Sequence, residues 1–203
     1  MTIRPTRPDE YPATESLTRD AFWNKYQPGC DEHLILHNFR RDPAFVPELD
    51  CVLEDDGELI AHIMYCRAHL DSERAGRVPV LMFGPISVRP DRQHQGYGSA
   101  LINETLSRAS ALGHGAVLIT GSPAYYARFG FESCSRHGIY YRNADRSDPA
   151  DYFMCRELRP NYLPGGLSLF VEPAGYTVDS AELERFEMLF PPRRKERRPG
   201  QLR

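Results

Sequence analysis

Hydrophobic residues fall in short runs separated by Gly-, Pro- and Asp-rich breaks, and the period within each run indicates the element. Thr2-Ile3-Arg4 reads as a short strand, and Pro8-Asp9-Glu10 as the entry to a helix reaching about Trp23. Residues 31–40 carry Leu34, Leu36 and Phe39 among polar neighbours. That is a second helix, stopped at Asp42-Pro43 because proline forces the preceding residue towards extended conformations. Residues 49–54, the step Asp55-Asp56-Gly57 and residues 58–70 read as a strand, a tight turn and a longer strand, with glycine supplying the positive φ of the turn. Residues 78–88 form another apolar run. Residues 95–112 show a helical stripe at Leu101, Ile102, Thr105, Leu106, Ala109 and Leu112, ended by Gly113-His114-Gly115. A fully apolar strand at 116–120 and a brief helix at 124–129 follow. Further on, 152–158 and 168–171 read as strands, and 179–189 as a helix capped by Asp179 or Ser180.

A strand, a helix and a strand in succession (80–88, 95–112, 116–120) imply one right-handed parallel crossover within a largely antiparallel sheet, an α/β protein. With 203 residues, 41% of them hydrophobic, the chain can bury one core. Residues 1–190 are expected to form a single domain, and 191–203 a solvated, flexible tail. The tail carries six cations (Arg193, Arg194, Lys195, Arg197, Arg198, Arg203) against Glu196, so it accounts for +5 of a chain total of −3 and leaves the body at −8. So acidic a body repels phosphate backbones, which argues against nucleic acid as a partner of the folded part. The five cysteines show neither the pairing of a disulfide framework nor metal-ligand spacing. No apolar run approaches the ~18–20 residues that cross a bilayer, and the polar start lacks the order of a signal peptide. These features indicate a cytoplasmic protein with no membrane partner.

The candidate chemistry lies in residues 88–101, Val-Arg-Pro-Asp-Arg-Gln-His-Gln-Gly-Tyr-Gly-Ser-Ala-Leu. A buried strand runs into a polar loop, and Gly96-Tyr97-Gly98 opens an apolar-striped helix. Unpaired amides at a helix start suit an anion, with the dipole adding ~0.3–1 kcal/mol. A pyrophosphate is the natural guest. No lysine follows Gly98, where a nucleoside-triphosphate loop needs one, and Leu101 stands where a dinucleotide fingerprint needs a small residue, so both readings weaken.

The pattern Gln93-x-x-Gly96-x-Gly98, after a strand ending Gly84-Pro85-Ile86-Ser87-Val88, resembles the acetyl-CoA loop of the GNAT superfamily of N-acetyltransferases. A second segment, Ser122-Pro123-Ala124-Tyr125-Tyr126-Ala127-Arg128-Phe129-Gly130-Phe131, resembles the same family, with Tyr126 five residues before Phe131. The two stand in the family's order, and the resemblance is specific over about 78–131, the expected cofactor-binding core, while 132–190 would hold C-terminal strands and a helix. It implies a mixed, mostly antiparallel sheet splayed between a parallel strand pair and flanked by helices. Pantetheine would pair with main-chain groups of Ile86, Ser87 and Val88, and the amides of Gln93, His94, Gln95, Gly96, Tyr97, Gly98 and Ser99 would hold the pyrophosphate. The implied activity is acetyl transfer from acetyl-CoA, as co-substrate, to an amine of a small molecule or protein, with no metal; a homodimer is compatible with it.

In that reading Tyr126 faces the leaving thiol. The general base is not legible, because residues 80–86 of the strand before the loop contain no acid. His62, His69 and Glu58 are candidates by strand spacing alone, and Phe22, Trp23, Tyr26 and Phe39 could wall an acceptor pocket or fill a core. A catalytically silent CoA-binding sensor is the competing reading.

Overall fold

A computed structural model of the chain describes residues 1–142 and 145–201. Up to residue 131 its elements follow the hydrophobic pattern: β1 (Thr2–Pro5), α1 (Tyr11–Phe22, entered through a 3-10 turn at Pro8–Glu10), α2 (Glu32–Phe39), β2 (Cys51–Asp55), β3 (Glu58–Ser72), β4 (Gly76–Val88), α3 (Tyr97–Ala111), β5 (Ala116–Thr120) and α4 (Pro123–Tyr126, continued by a 3-10 turn at Ala127–Phe129). Then come β6 (Glu132–Ser133), β7 (Ile139–Tyr141), β8 (Phe153–Glu157), β9 (Ser168–Val171) and α5 (Ser180–Glu187). β6 and β7, of two and three residues, are absent from the sequence reading because no alternation can be recognised over so short a span. Asp179 is the cap of α5, its side chain accepting from the Glu182 amide at 2.8 Å.

The chain forms two compact units, the first made of Met1–Met64, Pro85–Leu101 and Ala174–Arg203 and the second of Tyr65–Gly84 and Ile102–Pro173. In the first, β2 lies antiparallel between β1 (Ile3 opposite Leu53) and the start of β3 (His62 opposite Val52). Leu17 of α1, Leu34, Leu36 and Phe39 of α2, and Leu53 and Ile60 of the strands are buried. Phe39, one of the aromatics considered for a pocket wall, is fully enclosed and packs against Tyr176 at 4.7 Å between ring centroids. α5 covers α2 through Phe186, whose ring lies 5.3 Å from His33 and 4.6 Å from His37. The Arg19 guanidinium pairs with Glu187 at 2.8 Å.

In the second unit β5 runs antiparallel to β8, which also pairs with β6, and the end of β3 pairs antiparallel with β9. The expected parallel pair is present: Leu81 lies opposite Val117 and Met82 opposite Leu118. The pairing spans these two positions, although β5 runs on to Thr120. Just beyond, Gly84 has φ +148 and Pro85 has no N–H to offer, so β4 is locally unsuited to a regular ladder. A second parallel pair, β7 with β9, joins Tyr141 to Phe170 and was not anticipated. The stripe of α3 is buried at Leu101, Ile102, Thr105, Leu106 and Ala109, but Leu112 is 51% exposed because the helix ends at Ala111 and the chain turns away. The architecture is the mixed, mostly antiparallel α/β arrangement that the sequence implies.

Candidate functional site

The loop between β4 and α3 belongs to the first unit. A 3-10 turn at Pro90–Arg92 leads to Gln93, whose side chain donates to the Val88 carbonyl at 3.2 Å and ties the loop to the end of its strand. His94 and Gly96 have φ of +61 and +90. Left-handed residues set among ordinary ones turn successive amides inward, which makes a concave anion cradle. A Cβ added to Gly96 would meet nothing within 4 Å, so glycine is needed there for its backbone conformation and not for space. The first amide to bond back into the helix is that of Ala100, to the Gly96 carbonyl at 3.0 Å; those of Tyr97, Gly98 and Ser99 have no intrahelical acceptor. Buried Leu101 and Ile102 anchor this start, and the Tyr97 hydroxyl donates to Asp55 at 3.2 Å.

Ser87 stands apart from the other expected contacts. Its side chain is buried and donates to Thr18 at 3.0 Å, leaving only its main chain for a ligand. Arg89 is engaged as well, by Asp91 at 2.8 Å and Glu58 at 2.9 Å.

Tyr126 lies in the second unit, on α4. Pro123 at the first helical position is pre-set for a helix start, and the amides of Tyr125 and Tyr126 both donate to the Ser122 carbonyl at 3.0 Å. The Tyr126 ring sits in an aromatic group with Tyr125 (4.9 Å), Phe83 (5.9 Å) and Phe131 (6.0 Å). Gly130, with φ +77, ends the segment and lets Phe131 fold back onto that group.

The three candidate bases are occupied. His62 is fully buried, with its Nε2 against the Asp50 carboxylate and Arg40 at 3.4 Å. Burial pushes the Asp50 carboxyl up, but His62 and Arg40 outweigh it and hold the group below its usual range. His69 lies 3.6 Å from Asp71 and accepts from Arg77 at 3.2 Å; partial burial and that cation lower its pKa. Glu58 is the exposed partner of Arg89. Two carboxyls that the sequence reading passed over have raised pKa values. Burial at the start of α2 lifts Glu32 to about 7, with Asp31 adding to the effect, and burial also raises Glu172, just after β9. Neither carries a motif, so only the environment marks them.

Residues 191–201, expected as a solvated tail, hydrogen-bond along the 19–29 segment. Trp23 Nε1 and Asn24 Nδ2 both donate to the Arg194 carbonyl at 3.1 Å, and the Glu196 amide donates to Asn24 Oδ1 at 3.0 Å. Arg193 pairs with Asp20 at 2.6 Å. The Arg194 side chain remains 88% exposed. Leu202 and Arg203, the end of the basic run, lie outside the described residues.

Comparison with known proteins gives the chain a family. The family profile described as an acetyltransferase (GNAT) domain matches residues 2–134, a span that takes in both the loop and Tyr126. The N-acetyltransferase YhbS of Escherichia coli is 28% identical over 142 residues, covering 70% of this chain and 80% of that protein. A crystal structure of a GNAT family acetyltransferase from Brucella melitensis in complex with acetyl-CoA superposes with a TM-score of 0.67 at 26% identity, over 87% of this chain and 97% of that one. The crystal structure of Escherichia coli YhbS in complex with CoA has the same fold, with a TM-score of 0.72 at 24% identity, over 86% of this chain and 91% of that one.

Proposed function

The chain belongs to the GNAT acetyltransferase family, and on that premise we propose that it moves an acetyl group from acetyl-CoA to an amine of a small molecule or protein by direct attack. Residues 1–190 are read as one N-acetyltransferase domain. The feature that supports the proposal is the loop Gln93 to Ser99, in which His94 and Gly96 take left-handed φ and the amides of Tyr97, Gly98 and Ser99 have no intrahelical acceptor. A pyrophosphate satisfies those donors. Ile86, Ser87 and Val88 offer main-chain groups to the pantetheine amides.

Transfer requires a neutral amine. A lysine-like acceptor of pKa ~10.4 costs ~4.6 kcal/mol to deprotonate at pH 7. The nitrogen lone pair adds to the thioester carbon, the C–S bond breaks, and the acetyl group leaves on nitrogen, whose surplus proton passes to water and balances the one that the sulfur takes up. Tyr126 donates a hydrogen bond to the sulfur as negative charge develops on it. Complete proton transfer from a phenol of pKa ~10 to a thiolate of pKa ~8.5 is uphill by about 2 kcal/mol, so the proton moves late.

The test is titration calorimetry of the full chain with acetyl-CoA, beside an amine-library screen scored by release of the CoA thiol. Saturable binding and turnover on at least one amine are expected. Binding with no turnover on any amine would replace the enzyme with a CoA-binding sensor, and no binding would remove the reading.

A further inference from the structure

Gly121 links β5 to the tyrosine helix, and none of the usual reasons for a glycine applies to it. Its φ is not in the left-handed region, so the backbone admits any residue. Space is what sets it apart. A Cβ built on Gly121 would lie 2.4 Å from Cε2, 3.1 Å from Cδ2 and 3.5 Å from Cζ of Tyr126. Carbon atoms pack at ~3.5–4.0 Å, so the ring would have to move by about 1 Å.

Neither side of that contact yields easily. The Gly121 amide donates to the Tyr152 carbonyl at 2.8 Å, which holds the backbone against β8. On the ring's other flanks stand Phe83, Phe131 and Tyr125, with centroids 4.9 to 6.0 Å away. Phe131 is 3% exposed and itself packs edge-on against Phe83 at 5.9 Å, so that wall is closed. The α4 backbone is fixed by the bonds to Ser122. A methyl group at position 121 would therefore displace the phenol and not be absorbed elsewhere. We infer that Gly121 is a positioning residue: its missing side chain is the slot that the Cε2 edge of the Tyr126 ring occupies beside the end of β5, and this slot aims the hydroxyl. The inference rests on the acetyl-transfer reading, in which Tyr126 serves the leaving sulfur.

G121A tests it, beside Y126F and the double variant. G121A should lower kcat about 10–100-fold, the scale on which an ångström of misplacement acts, while the acetyl-CoA Kd from calorimetry stays within about twofold. In Y126F the hydroxyl is already gone, so adding G121A should lower kcat no further; the two losses should overlap and not multiply. A kcat for G121A within twofold of wild type, or losses that multiply, would overturn the inference. So would a Y126F enzyme as fast as wild type. If G121A fails to fold, G121A/Y126A is the control: removing the ring removes the collision, so recovery of a cooperative melt supports the contact and continued failure sinks it. A wild-type chain that neither binds acetyl-CoA nor releases thiol would condemn the proposed function, whereas normal wild-type turnover with an unaffected G121A would condemn only the slot.

Discussion

Removing only the hydroxyl of Tyr126 keeps the ring that packs among Phe83, Tyr125 and Phe131. Y126F should therefore fold and bind acetyl-CoA as wild type does, yet lose about 10²–10⁴-fold in kcat, the range of a positioned proton donor. Steady-state kinetics beside calorimetry separates the two effects. Gly96 fails differently. A methyl group there has room but not the conformation, and a left-handed non-glycine residue costs about 1–2 kcal/mol. G96A should lose that much in urea denaturation and bind acetyl-CoA more weakly, as far as the loop escapes the strain by turning its amides outward. Unchanged affinity would mean that the curvature of the loop does not matter to the ligand. Spacing is what singles out Gly96 and Tyr126 in the sequence. It does not single out Gly121, whose contact with the Tyr126 ring five residues on shows only in the folded packing, or Glu32, which burial alone distinguishes from any surface glutamate.

Two neighbours at the start of α2 oppose one another. His33 is fully enclosed, with its Nδ1 3.5 Å from the Cys30 thiol and its Nε2 2.7 Å from Glu187. Burial, with Arg19 beside it, lowers its pKa to about 4 against the pull of Glu187. Between pH 6.5 and about 4 the unfolded chain binds a proton at this histidine that the folded chain refuses, so stability falls as pH falls. Glu32 has the reverse sign. With a folded pKa raised from 4.5 to about 7, it keeps a proton that the unfolded chain releases, and stability falls as pH rises through that window. Each slope is at most about 1.4 kcal/mol per pH unit, so between pH 4.5 and 6.5 the pair should nearly cancel. Denaturant melts of H33Q should then lose stability with rising pH across this window, and those of E32Q should gain it. Two flat single variants would show that neither group is perturbed. The helix itself is expected from Leu34, Leu36 and Phe39, but this balance is not, because it depends on burial and on Arg19 and Glu187, which other elements bring to His33.

Across the whole molecule, the elements best anticipated from sequence are those long enough to show a period: β3, β4 and α3 fall within three residues of expectation at each end. The short β6 and β7 and the parallel β7–β9 pair depend on distant partners for their hydrogen bonds. The C-terminal segment is the largest departure, and its cause is physical. It is held through main-chain groups, the carbonyl of Arg194 and the amide of Glu196, which exist whatever the side chains are and leave no mark in composition. Asn24 is the partner of both; it is 3% exposed, sits at φ +58 and also accepts from the Gly29 amide at 2.8 Å. Deleting residues 191–203 strips it of those partners. At about 1 kcal/mol per hydrogen bond the loss is about 2–4 kcal/mol, a fall in Tm of several degrees. An unchanged thermal melt would mean that the strap carries no weight.

The five cysteines bear on how any of this is measured. Cys30, Cys51, Cys66, Cys134 and Cys155 are all free and at most 4% exposed. A colorimetric disulfide reagent meets none of them in the folded chain, and burial raises the pKa of Cys30 and Cys134 further from the reactive thiolate. Native enzyme should therefore be nearly colourless to such a dye, so every increment of absorbance reports CoA set free. A damaged preparation would reveal itself by up to five equivalents of colour before any acceptor is added.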